Sequence, residues 1–334
     1  MSMPSRAPTA PELSIVVPAP ADVQALEETL VSVLENRPTD AEVVVALGCD
    51  YADPWSIGEE VRFVRAPHGS SLTACTNIGI AASTGRVVHV LAAGWRATDG
   101  WTDGPRAHFA RGGVAAVVPL VVADNDRVVA AGIRTTRGGR QIPVGGPSRT
   151  VATFDASRTP RPSTPLLEAG FWSADLLAAT AGFSTECGDW LADADMAAAL
   201  ACCGGEVVLE PDSLVVGGPM RSQPGAFMAG LQAERLFWRS LTAGAVLPAL
   251  VAHGFETLRH ALASAPFGTV PMLVGRLVGL LQFGGHAGRA RQLAALRQAA
   301  DDAADERTLR IDEAHERLAR PRRQVSPAPL KRSA

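Results

Sequence analysis

Leu13 to Val17 is a continuous apolar run that stops at Pro18, and a short unbroken run of this kind predicts a strand buried on both faces. Behind it Leu26, Leu30, Val33 and Leu34 recur at helical spacing, with Asp22 placed to cap the helix and Pro38 to stop it. Glu42 to Leu47, EVVVAL, reads as a second buried strand and Val61 to Val64 as a third. Ser70 or Ser71 is placed to cap a helix through Ala82, whose Leu72, Cys75 and Gly79 share one face, and Gly85 ends it before a strand over Arg86 to Leu91. Strands alternating with helices at this spacing predict an α/β fold with a doubly wound, mostly parallel sheet.

Farther along, Val114 to Val122 is β-rich, whereas residues 124–165 are broken by Gly, Pro, Arg and Ser clusters and read as a long loop. Asp189 to Cys203 carries a helical pattern ended by Gly204 and Gly205, and Val207 to Val216 returns to strand. After Pro219 the strand signals cease. Gly225 to Leu241, Val246 to Leu262, Val270 to Phe283 and Arg289 to Leu318 are the helices expected of a C-terminal extension over 219–320. The organisation expected is thus a tail over 1–12, an α/β domain over 13–218, the helical extension, and a disordered Arg/Pro-rich tail over 321–334.

A chain of 334 residues accommodates one large α/β domain with an appendage, and 47% hydrophobic with 19% charged residues describes a globular protein. The net charge of −3 and the lack of a basic stripe outside the last turn of the chain argue against nucleic acid as a partner. Five cysteines without CxxC or Cys/His metal spacing read as reduced, buried thiols, and the histidines form no HxH or HExxH pattern. MSMPSRAPTAPE has no apolar signal region, so a cytoplasmic location is expected. Ala265 to Gly285 is the most membrane-like stretch, but Pro266, Pro271 and Arg276 argue for a core or interfacial helix, with peripheral membrane contact through the C-terminal helices left open.

Three segments carry a resemblance. LSIVVPAPADVQALEETLVSVLENRPTDAEVVVAL has an apolar strand ending in proline, a helix with L..TL.SvL, and a strand opening on Glu. TNIGIAASTG precedes the central strand, and GFSTECGDWLADADMAAALACCGGEVVLEPDSLVV follows the long loop. In this order and spacing they resemble family 2 glycosyltransferases over about Leu13 to Val216. The resemblance implies a GT-A sheet, a nucleotide-sugar donor at the carboxyl ends of the first strands, and a glycan, lipid-linked saccharide or other polar acceptor. It implies inverting transfer, in which an aspartate takes the acceptor hydroxyl proton and a divalent Mg or Mn held by a DxD motif neutralises the departing diphosphate.

The chain departs from that pattern on the donor side. Where the resemblance implies DxD, the strand ends Leu91, Ala92, Ala93, Gly94, Trp95, so both metal-site carboxylates are missing there, with Asp99 and Asp103 just beyond as the alternative phosphate or metal contacts. The resemblance assigns the donor to Pro18, Asp50, Asp53, Asn77 and Asp99, with Asp50 and Asp53 readable equally as turn residues and Asp99 and Asp103 as turn or N-cap residues. On the acceptor side Asp193 falls on the expected base and Asp195 on the next acidic position, with a helix N-terminal role as the alternative. Gln232, Arg235 and Trp238 approximate a QxxRW motif but also suit an amphipathic helix. Two functions follow: a sugar transferase, or a degenerate homologue that binds a nucleotide sugar or serves as a partner subunit.

Overall fold

The first apolar run forms strand β1 (Leu13–Ala19), every residue of which is buried. A computed structural model describes residues 11–146, 149–241 and 246–319; apart from positions 11 and 12, both expected tails lie outside the described residues. Alternate β1 residues serve opposite faces of the sheet. Ile15 and Val17 pack with Leu26, Leu30 and Val33 of helix α1 (Val23–Asn36), whereas Val16 packs on the other face with Trp172, Met196 and Leu200. Asp22 caps α1 by accepting from the Ala25 N–H at 3.0 Å.

Strands β2 (Glu42–Leu47), β3 (Arg62–Arg65) and β4 (Val87–Val90) follow, with helix α2 (Leu72–Ala82) capped by Ser71 between the last two. A two-residue β5 (Arg96–Ala97), helix α3 (Asp103–Ala110) and the nine-residue β6 (Val114–Val122) complete the first half. Residues 124–165, expected to be a loop, contain three short strands: β7 (Val128–Ala130), β8 (Ile133–Thr135) and β9 (Gln141–Pro143). Next come β10 (Phe171–Ser173), α4 (Ala174–Thr180), α5 (Gly188–Cys202) and β11 (Glu206–Val216).

The large sheet runs β3-β2-β1-β4-β10-β6-β11-β5, with β7 beside β6. The β1–β2, β2–β3, β1–β4 and β6–β11 pairs are parallel, and β10 is wedged antiparallel between β4 and β6. The result is a mostly parallel α/β sheet whose strand order reverses direction outward from β1, the place where open sheets of this type admit ligands.

Four helices follow: α6 (Ala226–Ser240), α7 (Val246–Ala263), α8 (Thr269–Leu281) and α9 (Ala287–Ala319). Helices α6 and α8 meet backbone to backbone. A Cβ on Gly230 would lie 2.0 Å from the Met272 carbonyl oxygen, and one on Gly275 equally close to that of Phe227. Among the described residues no helix is long and apolar enough to cross a membrane.

Candidate functional site

Pro18, at the carboxyl end of β1, accepts from the Ala93 N–H at 3.1 Å, which fixes the turn after β4 against the first strand. That turn lies directly beneath the segment leaving β11. Gly94 has φ +88°, and a Cβ there would sit 2.8 Å from Pro219 Cδ, while a Cβ on Gly218 would reach 2.2 Å from the Gly94 carbonyl oxygen. Residues 217–219 therefore strap the position that the resemblance assigns to a DxD motif.

The other expected donor residues scatter. Asp50 is almost fully exposed after β2, 4.0 Å from Arg65. Asp53 has φ +47° and accepts from the Ile57 N–H at 3.1 Å, as a turn aspartate does. Asp99 is exposed in the turn before α3. Asn77 has both ends of its amide bonded to the Phe183 backbone at 2.8 Å, so its hydrogen bonds are consumed in tying α2 to the turn after α4. The α2 N-terminus is likewise filled, because Asp189 accepts from the Leu72 and Thr73 N–H groups at 3.1 and 2.9 Å.

A polar cluster absent from the sequence expectation gathers around Asp193, which is fully buried. Its Oδ1 accepts from Gln141 Nε2 at 3.0 Å and the Ala194 N–H at 2.9 Å; its Oδ2 accepts from Arg221 Nη2 and, at 3.4 Å, the Leu167 N–H. Arg221 also donates through Nε to Glu168 at 2.6 Å and through Nη1 to the Asp189 carbonyl. Burial, with Asp193 adding to it, pushes the Glu168 carboxyl above the usual carboxylate range in spite of Arg221, and its Oε2 is buried without a hydrogen bond. Against the desolvation that burial imposes, Asp193 and Glu168 hold the Arg221 guanidinium above the usual arginine range. Two carboxylates thus share one fixed cation.

Asp195 does not join this cluster. Two positions along a helix rotate a side chain by about 200°, and Asp195 points the other way, bonded to Arg239 Nε at 2.8 Å and ion-paired with Arg289 at 2.8 Å. It fastens α6 and α9 to α5. Gln232, Arg235 and Trp238 also serve packing. Gln232 lies against Gly188, Arg235 donates to Gln282 and to the Glu186 carbonyl, and Trp238 donates to Glu234.

Gln141 and Arg221, both bonded to Asp193, line a cavity of about 410 Å³. The β7–β9 segment, Trp190 of α5, residues 220–223 and the inner sides of α6, α7 and α8 form its walls. Single arginines are uninformative in a chain whose basic residues are nearly all arginine, so Arg221 and the arginines of this cavity carried no signal in the sequence. Glu168, in the apolar PLLEAGFW, carried a weak one, since an acid amid buried positions demands a partner.

The residues at the end of β4 do not fit a divalent cation. Ala92 and Ala93 provide no oxygen side chain, the Ala92 N–H is bound by the Glu168 carbonyl, and the Glu168 carboxylate already holds a guanidinium. Among the described residues no group of three or more His, Cys, Asp or Glu is arranged to hold a metal.

This sheet order, with an antiparallel strand inserted beside the central one and helices on both faces, is a GT-A-like glycosyltransferase fold. The similarity extends to a Staphylococcus aureus TarS fragment, residues 1–349, bound to UDP-GlcNAc, at 13% identity and TM-score 0.57 over 88% of this chain and 92% of that one. A Pyrobaculum calidifontis mannosyltransferase with GDP-Man and Mn²⁺ aligns at 16% identity and TM-score 0.50 over 89% and 86%. GalNAc-T7 with UDP, GalNAc and Mn²⁺ aligns at 15% identity and TM-score 0.52 over 74% of this chain, which spans only 54% of that protein. No family model matches the sequence, and no curated protein matches it.

Proposed function

We propose that the chain transfers a sugar from a nucleotide-sugar donor to a saccharide or lipid-linked acceptor, without a divalent metal and with Asp193 as the general base. The observation that carries this reading is the position of Asp193: a carboxylate on the GT-A-like α5, one hydrogen bond away from an open cavity through either Gln141 or Arg221. The solved structures similar in fold hold UDP, GDP-Man and UDP-GlcNAc, which supports the donor class. In the inverting reaction the acceptor hydroxyl gives its proton to Asp193 as its oxygen bonds to the anomeric carbon, and nucleoside diphosphate leaves with the bonding pair. Asp193 accepts four hydrogen bonds, so it has a lone pair free for the acceptor proton only when Arg221 is drawn off it, and the anionic donor is the group able to do so. Pro18 and Asp50, at the ends of β1 and β2, are the donor contacts retained in this reading, with Asp53 in the turn after β2.

The saturation of Asp193 favours a second reading, in which the chain binds a nucleotide sugar without transferring it. A panel of nucleotide sugars in a thermal-shift assay, with Mn²⁺ and with EDTA, tests the common ground of both. One or more donors is expected to raise the melting temperature equally in either condition. Failure of every donor to shift it defeats both readings, and a shift that vanishes in EDTA defeats the metal-free mechanism. Product formation then separates transferase from binding protein.

A further inference from the structure

On the side formed by the β8–β9 turn, α7 and α8, the cavity beside Asp193 carries three arginines for two carboxylates, while Arg221, which also lines it, is matched by Asp193 and Glu168. Arg140, Arg259 and Arg276 share two carboxylates, Glu256 and Glu234: Arg140 and Arg259 pair with Glu256 at 3.2 and 2.6 Å, and Arg276 pairs with Glu234 at 3.0 Å. Arg276 is only 7% exposed, and its Nε is buried without a hydrogen bond. A buried guanidinium donor left without an acceptor is costly unless a ligand supplies one. His260, which also lines the cavity, lies 3.3 Å from Arg276 Nη2 and is kept below the usual histidine range by burial and then by Arg276 and Arg259, so its cationic form is disfavoured there.

We infer that this cavity is a binding subsite for a phosphate ester, held by Arg140, Arg259 and Arg276. A tetrahedral phosphate presents several oxygens to donors that converge from three elements, the β8–β9 turn, α7 and α8, and guanidinium groups bind it in forks. Identifying the phosphate as part of the acceptor rests on the transferase reading above; its binding does not. The ester has two sources, a soluble molecule or a lipid. The second is a live source because α7 and α8 are turned inside out. Glu256 and Arg276 face the protein, while Phe255, Leu258, Leu262 and Leu277 are exposed and Phe267, in the turn between the helices, is 91% exposed.

The full chain is titrated with inorganic phosphate against chloride at matched ionic strength, and is floated with phosphatidylcholine vesicles with and without phosphatidic acid. Arg140→Gln and Arg259→Gln are compared, since their side chains are 38% and 50% exposed and circular dichroism can verify their fold. A soluble source predicts stabilisation by phosphate that weakens roughly tenfold or more in each variant. A lipid source predicts flotation that needs phosphatidic acid and is lost in both variants. The inference is overturned if neither phosphate nor phosphatidic acid has an effect, if both folded variants respond as the parent does, or if vesicles are bound equally well without phosphatidic acid while free phosphate does nothing. Nucleotide-sugar shifts measured on the same variants are expected to persist. Their absence in the parent defeats the transferase reading and leaves the phosphate result standing.

Discussion

Glu168 is the residue whose surroundings are least balanced. One oxygen holds Arg221 at 2.6 Å and the other has no hydrogen bond, inside a chain segment that is almost wholly buried. Its carboxyl in the folded protein is held above the ordinary range, so between the unfolded and folded values the native state binds more protons than the unfolded one. Stability contributed by this group is therefore present below the unfolded value and falls as pH rises through the window up to the folded one. Glu168→Gln keeps an acceptor for Arg221 and removes the titration. Denaturant unfolding across the acidic to neutral range is expected to show the parent losing stability through this window more than the variant does; parallel curves would assign the burial no energetic consequence.

Helix α5 places two aspartates on opposite sides, and this makes its face the proper level at which to assign their roles. Asp193 is turned to Gln141 and Arg221, which line the cavity, and Asp195 to Arg239 and Arg289. Asp193→Asn is expected to fold, bind donor and lose ~10² to 10⁴ in transfer rate, as removal of a general base does. Asp195→Asn leaves the buried Arg289 guanidinium without its anion and Arg239 with Glu186 alone, and is expected to cost about 3 to 5 kcal/mol in chemical unfolding. Full transfer activity in Asp193→Asn would strip it of the base role. This division was not legible in the sequence, which offered Asp193 and Asp195 together, because a spacing of two says nothing about which side of a helix meets the sheet. The long elements were legible: β1, β2, α1 and α2 appear with Asp22 and Ser71 as their caps, since continuous apolar runs and capping residues are local signals. Strand β10 was not, because three residues wedged antiparallel between β4 and β6 are specified by neighbours distant in the chain. The short β7, β8 and β9 hid for the same reason within a segment rich in Gly and Pro.

For the molecule as a whole, the alternation of strands and helices was enough to anticipate the sheet, whereas the cavity depends on segments that are far apart in sequence and meet only on folding. The strap over the β4 turn joins these levels. Residues 217–219 lie across Gly94, and two residues beyond them Arg221 clasps Asp193 and Glu168. In the transferase reading proposed above, a donor reaching the carboxyl ends of β1 and β4 displaces this segment and carries Arg221 with it. Under that reading, admission of the donor and release of Asp193 are a single event, which implies an order: donor first, acceptor second. It also sets a ceiling on association. In stopped-flow mixing the observed rate is expected to climb with donor concentration and then level off at the opening rate of the strap, and Gly218→Ala, which crowds the Gly94 carbonyl, is expected to raise that plateau. A rate that stayed linear in donor would mean that the strap never bars the way.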